Sequence, residues 1–556
     1  MRLLTHIRTL IQHLEQSPLS PFQATTLIAS AIFLRIFFEN FTNAGNAGVA
    51  NGFLDTFFHY PLWYGCLFLS AMFILSVFAR MSVALARTTI AFSSFVLLTP
   101  PLIDSVVHGL GGHVYGYLAG DAITMTFHFF TLMLFSSAVG IGIKLELLAA
   151  LLAAFLSVRL RTVSVLRGLG AAFAFYVVAF MFLSLPVWMS ASWRIAFPND
   201  TLAREEVSLS KFFQEEEPAR SLFWPRPMVL DVRESVGPVG LSNSDHFSIT
   251  ASLFLLVLFI ALLATLYARA RPAQWRALLG NLRYTRILQY LLLAGYGVYL
   301  GLSLQSGGFS LSFGDVLSFV GLFIGVLFAW LFAVWENDEE DRAIDAVSNK
   351  GRPLVSGVFE QGEWHELKWT FLTLSLIGSF LAGWYSFILI LVFLVNYHLY
   401  SCPPLRLKRF PGISSLIVAG NALLVVLSGF YLAAGTELLY AFPAPAALGI
   451  FLVLLCAENI KNMKDIEGDR KAGIHTLPVL LGERGGPRAV GILGALAILV
   501  VPPLFGLSPF SLVLAGTSAL AAYLLITRKP YRELPVFLLY LVFFIAFFAL
   551  TLVDLA

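Results

Sequence analysis

Long apolar runs, broken by short polar stretches, recur from one end of the chain to the other. In the first half they lie near 20–38, 59–79, 88–105, 122–141, 165–189 and 247–268, with a shorter run at 145–158. In the second half they lie near 287–304, 313–335, 368–384, 385–400, 414–433, 440–461, 489–504, 508–526 and 534–553. Crossing a bilayer core takes about 20 apolar residues, and only a helix satisfies the backbone of a lone crossing segment. The pattern predicts an all-α, polytopic transmembrane helical bundle. Nine of its helices fall in the second half and six or seven in the first.

The polar breaks carry an orientation. Arg269, Arg271, Arg276, Arg283 and Arg286 crowd one break that holds no acid, which marks 269–286 as a cytoplasmic basic linker. The linker separates an N-terminal multi-span membrane domain, 1–268, from a second membrane domain, 287–556. Counting forward, the breaks after 335, 400, 461 and 526 share the cytoplasmic side. Counting backward, 189–248 becomes an external loop, and Glu205, Glu206, Glu215, Glu216, Glu217, Asp231 and Glu234 agree with that. Arg159, Arg161 and Arg167 return inside. If Arg80 and Arg87 are inside as well, 88–158 must cross an even number of times, yet it holds three apolar runs. The run at 145–158, short and preceded by Lys144 and Glu146, is the one expected to be re-entrant or interfacial.

Composition narrows the class. The chain is 58% hydrophobic and 12% charged with mean hydropathy +0.81, far from soluble globular proteins. A net charge of +3 gives no reason to expect nucleic acid. Cys66, Cys402 and Cys456 show no paired ligand spacing, so neither a disulfide framework nor a zinc site is expected.

Chemistry gathers at two of the cytoplasmic breaks. Five carboxylates lie between Glu336 and Asp341, just where an apolar run ends. At about 100° per residue, Asn337, Asp338, Asp341 and Asp345 fall within an arc of about 100°. Further on, Glu458, Asn462, Asp465 and Asp469 are spaced to share a stripe about 60° wide. Acidic groups this dense repel unless a cation neutralises them, and oxygen ligands suit Mg2+, usually held together with substrate phosphates. The residues point to a Mg2+-diphosphate site at a bilayer face. Arg352, Arg406, Lys408 and Arg470 supply charges suited to diphosphate oxygens. Arg406 and Lys408, either side of Leu407 in an expected extended loop, should reach toward one face.

These stretches carry a family resemblance. N-D-x-x-D-x-x-x-D at Asn337 to Asp345, followed by R-P-L-V-S-G at Arg352 to Gly357, resembles the first signature of the UbiA superfamily of intramembrane prenyltransferases. Asp465 to Val479 resembles the second, with E-G-D-R-x-x-G-x-x-T-L-P-V, and Tyr400 to Arg409 resembles the family's basic loop. The resemblance covers about residues 270–556. It implies a nine-helix UbiA-like fold and Mg2+ bound by Asn337, Asp341, Asp465 and Asp469, with Asp338, Asp345 and Asn462 in support. Asn462 departs from relatives that have aspartate there, which removes one charge from the site. The resemblance gives Glu458 a role in positioning or deprotonating the acceptor and puts Tyr400 near the leaving group. It implies transfer of a prenyl group from a polyprenyl diphosphate to an aromatic (quinone-precursor) or lipid acceptor, in a bacterial or archaeal cytoplasmic membrane. The motifs resemble branches acting on quinone precursors, chlorophyll-type tetrapyrroles and archaeal glycerol lipids alike. A competing class is a non-catalytic isoprenoid-binding or transport protein, which has no need of a two-metal leaving-group site.

The first half holds polar residues in or near its apolar runs: Arg35, Glu39, Asp55, His59, Asp104, His108, His113, Asp121 and His128. Asp55 with His59, and Asp104 with His108, are i, i+4 pairs. They are read as structural pairs, and no family comes with them.

Overall fold

The computed structural model describes residues 18–42, 52–109, 116–118, 120, 122–136, 139–196, 243–304, 313–410, 412–434, 439–463, 466–471, 476–505 and 508–555. Their regular elements are all helical. His113, Asp121, Asp465 and most of the 189–248 loop lie outside the described residues. The chain clusters into two compact units that divide, for the most part, between Trp275 and Arg276.

The first unit contains α1 (Pro21–Thr42), α2 (Asp55–Phe78, opening on a π-helical turn), α3 (Val83–His108), α4 (Ala122–Phe130), α5 (Ile141–Thr162), α6 (Val165–Leu183) and α7 (Asn243–Ala270). Local chemistry sets several ends. Ser82 and Ser164 accept from the Leu85 and Arg167 amides and start α3 and α6. Val163 takes a left-handed φ of 57° and ends α5. Ile32 and Ile36 of α1, Phe68 and Leu75 of α2, Leu85 and Ile90 of α3 and Leu266 of α7 form one buried cluster.

Two expectations for this unit are corrected. The 122–141 run does not span, because α4 stops at Phe130 and the chain then turns through Leu132 and Met133, with φ of 53° and 60°. Its nine residues rise only about 14 Å, half of a bilayer core. The 145–158 run is not re-entrant but forms the middle of the 22-residue α5. The charges that counted against a crossing are satisfied internally: Lys144 Nζ donates to the Ser136 carbonyl at 3.0 Å, and Glu146 lies 3.6 Å from Arg35. Leu152, Leu156 and Leu160 are exposed along α5, as lipid-facing side chains are. Among the described residues between Arg80 and Arg159, α3 and α5 are the helices of spanning length, an even number.

The second unit contains α8 (Tyr284–Ser303), α9 (Phe313–Glu340), α10 (Gln361–Ala382), α11 (Trp384–Ser401), α12 (Ile413–Ala434), α13 (Ala444–Ala457), α14 (Gly482–Leu499), α15 (Pro509–Thr527) and α16 (Glu533–Leu555). These helices follow the nine predicted runs, and α9 continues five residues past the expected end, so its last turns carry the acidic stretch. α8 and α12 pack almost backbone to backbone. A Cβ added at Gly297 would stand 2.0 Å from the Val426 carbonyl oxygen, and one at Gly301 would stand 2.5 Å from that of Phe430. Small residues four apart allow that approach where no water drives association. Trp335 stacks on Trp364 of α10 with centroids 4.6 Å apart, and the Trp364 indole donates to the Trp335 carbonyl at 3.2 Å, which pins the acidic end of α9.

Candidate active site

Successive helical side chains leave the axis about 100° apart, so a polar run at a helix end fans out to several neighbours. The end of α9 does this residue by residue. Glu336 faces α11, its Oε1 3.1 Å from His398 Nδ1. Asn337 faces the loop after α11, and its Oδ1 accepts from Lys408 Nζ at 2.9 Å and Ser401 Oγ at 3.2 Å. Asp338, 2% exposed, faces the turn before α8 and accepts from Asn281 at 3.0 Å and from Arg283. Glu339 faces α10, where Lys368 donates to it at 2.7 Å and His365 pairs with it.

Asp341 returns to the side of Asn337, one helical turn on. The turn is continuous, since the Asp341 amide donates to the Asn337 carbonyl at 2.9 Å and the Asp345 amide to the Asp341 carbonyl at 2.8 Å. The single face expected from the sequence divides into two pairs. Asn337 and Asp341 form one, with the Asn337 amide donating to Asp341 at 3.0 Å. Asp338 and Asp345 form the other, bridged by Arg352 at 3.7 and 3.9 Å. Arg352 also donates to Asn281 Oδ1 at 2.9 Å. Burial raises the Asp345 carboxyl above its ordinary value, against the opposing pull of the Asn349 hydrogen bond and Arg352.

The basic loop closes on the first pair. Arg406 and Lys408 each donate to Asp341 at 2.7 Å, one to each carboxylate oxygen. The expected extended loop is not how they converge. Arg406 takes a left-handed φ of 42°, and Leu407–Arg409 form a 3-10 turn, so a sharp reversal brings both cations to one carboxylate. Burial holds the Lys408 ammonium below its usual value, and Asp341 acts in the opposite sense.

The remaining expected site residues lie as follows. Tyr400, part-buried at the end of α11, has its ring 5.9 Å from that of Tyr397. Glu458 is buried where α13 passes into the 3-10 turn Glu458–Met463, which also carries Asn462. Asp469 lies in the short helix Ile466–Lys471, its side chain outside the described set. That helix runs beside the short helix Arg342–Ser348, which carries Asp345. Arg470, half exposed, is 3.9 Å from Glu483.

A cavity of about 240 Å³ opens between α8, α13 and α16, and its walls are mostly apolar. Ala457 and Ile460, on either side of Glu458, line it, and the Arg286–Glu533 ion pair at 3.1 Å contributes its polar part. Sequence reasoning missed Asn281, Arg283 and Ser401 as site residues. Asn281 and Arg283 sit in the arginine-rich 269–286 stretch, whose charge was used only for orientation. Tyr290 and Tyr397, whose hydroxyls are 2.5 Å apart inside the bundle, gave no signal beyond apolar periodicity.

The molecule is an integral, multi-pass α-helical membrane protein, and its second unit concentrates acidic and basic side chains where helices end. The profile of the UbiA prenyltransferase family matches residues 294–548. The chain is 30% identical over 251 residues to digeranylgeranylglyceryl phosphate synthase of Thermococcus kodakarensis, covering 44% of this chain and 85% of that protein. It is 31% identical over 171 residues to chloroplastic chlorophyll synthase of Oryza sativa, covering 26% of this chain and 40% of that protein. Among solved structures, a UbiA homologue from Archaeoglobus fulgidus bound to DMAPP and Mg2+ aligns with TM-score 0.38 and 22% identity, over 49% of this chain and 98% of that one. The chain belongs to the UbiA prenyltransferase family.

Proposed function

We propose that the second unit transfers a prenyl group from a polyprenyl diphosphate to a lipid acceptor, in a Mg2+-dependent reaction at the mouth between α9 and the loop after α11. The observation that carries this reading is Asp341, a largely buried carboxylate held by Arg406 and Lys408 at once. Both are cations of the kind that bind phosphate oxygens. An arriving diphosphate competes for them and releases the Asp341 carboxylate.

The donors beside it, Asn337 Oδ1 and the Asp341 carboxylate, are oxygen atoms, which suit a hard divalent ion. Asn337 and Asp341 would hold Mg2+ together with Asp465 and Asp469, with Asp345 and Asn462 in support. Bound there, the ion would neutralise the charge of the departing diphosphate. Asp338 acts as a positioning residue that ties the turn before α8 and Arg352 to the acidic end of α9. Glu458, beside the apolar cavity, orients or deprotonates the acceptor, and Tyr400 stands near the leaving group. The cavity between α8, α13 and α16 takes the prenyl chain.

The positive charge of the loops supports a cytoplasmic orientation for this mouth, the side where soluble diphosphates and Mg2+ are found. A lipid acceptor is favoured over an aromatic one because the match to digeranylgeranylglyceryl phosphate synthase runs through 85% of that protein. The test is to incubate purified protein with a labelled prenyl diphosphate, Mg2+ and a panel of glycerol-lipid and aromatic acceptors. Metal-dependent diphosphate release with a labelled lipid product, lost in Asp341→Ala, is expected. Prenyl diphosphate binding without turnover across the panel would make the protein a carrier.

A further inference from the structure

We propose that Glu336, His398 and Cys402 form a binding site for a thiophilic divalent metal, Zn2+ by preference, separate from the oxygen-donor site at Asn337 and Asp341. One ligand atom from each of the three lies within 4.8 Å of the others. His398 and Cys402 are four residues apart at the end of α11, and the Cys402 amide donates to the His398 carbonyl at 2.8 Å, so the turn that puts them on one face is intact. Glu336 reaches them from α9. Ligands about 2.0–2.3 Å from a tetrahedral zinc stand about 3.3–3.8 Å apart, so closing by about 1 Å completes the geometry.

A second observation points to a ligand. Glu336 is 6% exposed, its Oε1 is occupied by His398, and its buried Oε2 has no partner stronger than the neighbouring Cys402 thiol, a weak donor. A buried carboxylate oxygen answered only by a thiol is poorly satisfied, and a cation between Glu336 and the sulfur removes that cost. The ligand chemistry selects the ion: thiolate and imidazole favour Zn2+, whereas Mg2+ prefers oxygen throughout. The His398 side chain is 55% exposed, which leaves an entry path and room for water as the fourth ligand. The cysteines alone could not reveal such a site, because a single sulfur is completed by a histidine four residues back and a carboxylate from another helix.

The consequence is mechanical. Arg406 and Lys408 follow Cys402 by four and six residues, so a metal here ties the root of their loop to the end of α9. Two adjacent sites would then sort metals by softness, one holding the loop and the other facing substrate.

The experiment uses the full-length protein in nanodiscs, reduced, stripped with chelator and titrated with Co2+ in excess Mg2+. One equivalent should bind with a sulfur-to-cobalt charge-transfer band and tetrahedral ligand-field bands, and Zn2+ should displace it. Cys402→Ser should abolish the charge-transfer band and weaken binding by more than about 100-fold, beyond what loss of an outer-shell group costs. His398→Ala, at a half-exposed position that tolerates change, should keep the band but weaken binding at least about 10-fold. Absence of the band in the parent protein, its survival in Cys402→Ser, or unchanged affinity in His398→Ala each overturns the proposal. None of these readouts depends on prenyl transfer.

Discussion

Both units place charged side chains in or beside apolar helices, but the partners differ in kind. In the first unit most of them are fixed parts of the helical frame. Arg35 pairs with Glu39 one turn away and donates to the Leu97 carbonyl at 2.8 Å, with Glu146 nearby. His59 sits between Asp55 at 2.9 Å and the Tyr117 hydroxyl at 2.6 Å, and Asp104 accepts from the Gly142 amide at 2.8 Å. In the second unit Asp341 is answered by two cations from a loop. A helical partner one turn away neutralises a charge for good, whereas a loop cation neutralises it until a better anion arrives. The density of polar groups inside a membrane protein therefore says less about function than the origin of their partners.

The largest expected effect tests the structural side of this contrast. Arg35→Met leaves Glu39 and Glu146 facing each other in an apolar interior, and breaking a buried pair in this way costs about 3–5 kcal/mol. Thermal unfolding in detergent should show that loss, while the folded fraction keeps its prenyl transfer. Adding Glu39→Gln and Glu146→Gln should restore most of the stability. Loss of turnover in the restored triple variant would mean that the first unit takes part in the reaction.

Next in size is Asp341→Ala, expected to lower turnover by about 10²–10³-fold, the usual cost of removing one group that stabilises developing charge. Its melting temperature should fall only modestly, because Arg406 can turn toward solvent and the buried Lys408 keeps its hydrogen bond to Asn337. A variant that unfolds but keeps its specific activity would make Asp341 a clamp like Arg35.

Much of the second unit was legible in the sequence because two independent signals agreed there: runs of spanning length set the nine helices, and polar residues at fixed helical spacing marked where they end. The convergence of Arg406 and Lys408 was legible as an outcome but not in its cause, since the left-handed turn at Arg406 leaves no signal in a chain without glycine at that point. Asn281 and Arg283 were hidden because they reach Asp338 from 57 and 55 residues away, and linear spacing carries no information about such pairs. In the first unit, α4 was misjudged because the turn at Leu132 and Met133 is itself apolar, and α5 because local hydropathy cannot tell whether Glu146 meets lipid or an arginine. Only tertiary pairing decides that.

A smaller effect separates binding from chemistry. Lys408→Met removes one charged hydrogen bond to an incoming diphosphate, worth about 1.5–3 kcal/mol, so KM for the prenyl diphosphate should rise about 10- to 100-fold. The turnover number should fall less, because Arg406 remains. A fall in turnover alone, at unchanged KM, would shift Lys408 from holding the ground state to stabilising the leaving group.

The smallest effect asks whether the second acidic cluster is served by a cation as the first one is. Arg470 lies in the short helix that runs beside the Asp345 helix, yet its half-exposed guanidinium stands 3.9 Å from the still more exposed Glu483. A pair this open contributes about 0–1 kcal/mol. Arg470→Ala should therefore change stability by less than about 1 kcal/mol and raise KM by less than about threefold, well below the effect at Lys408. A rise of about tenfold or more corresponds to about 1.4 kcal/mol, more than this exposed pair supplies. In that case Arg470 leaves Glu483 when diphosphate binds, and the second cluster works by the same exchange of partners as Asp341.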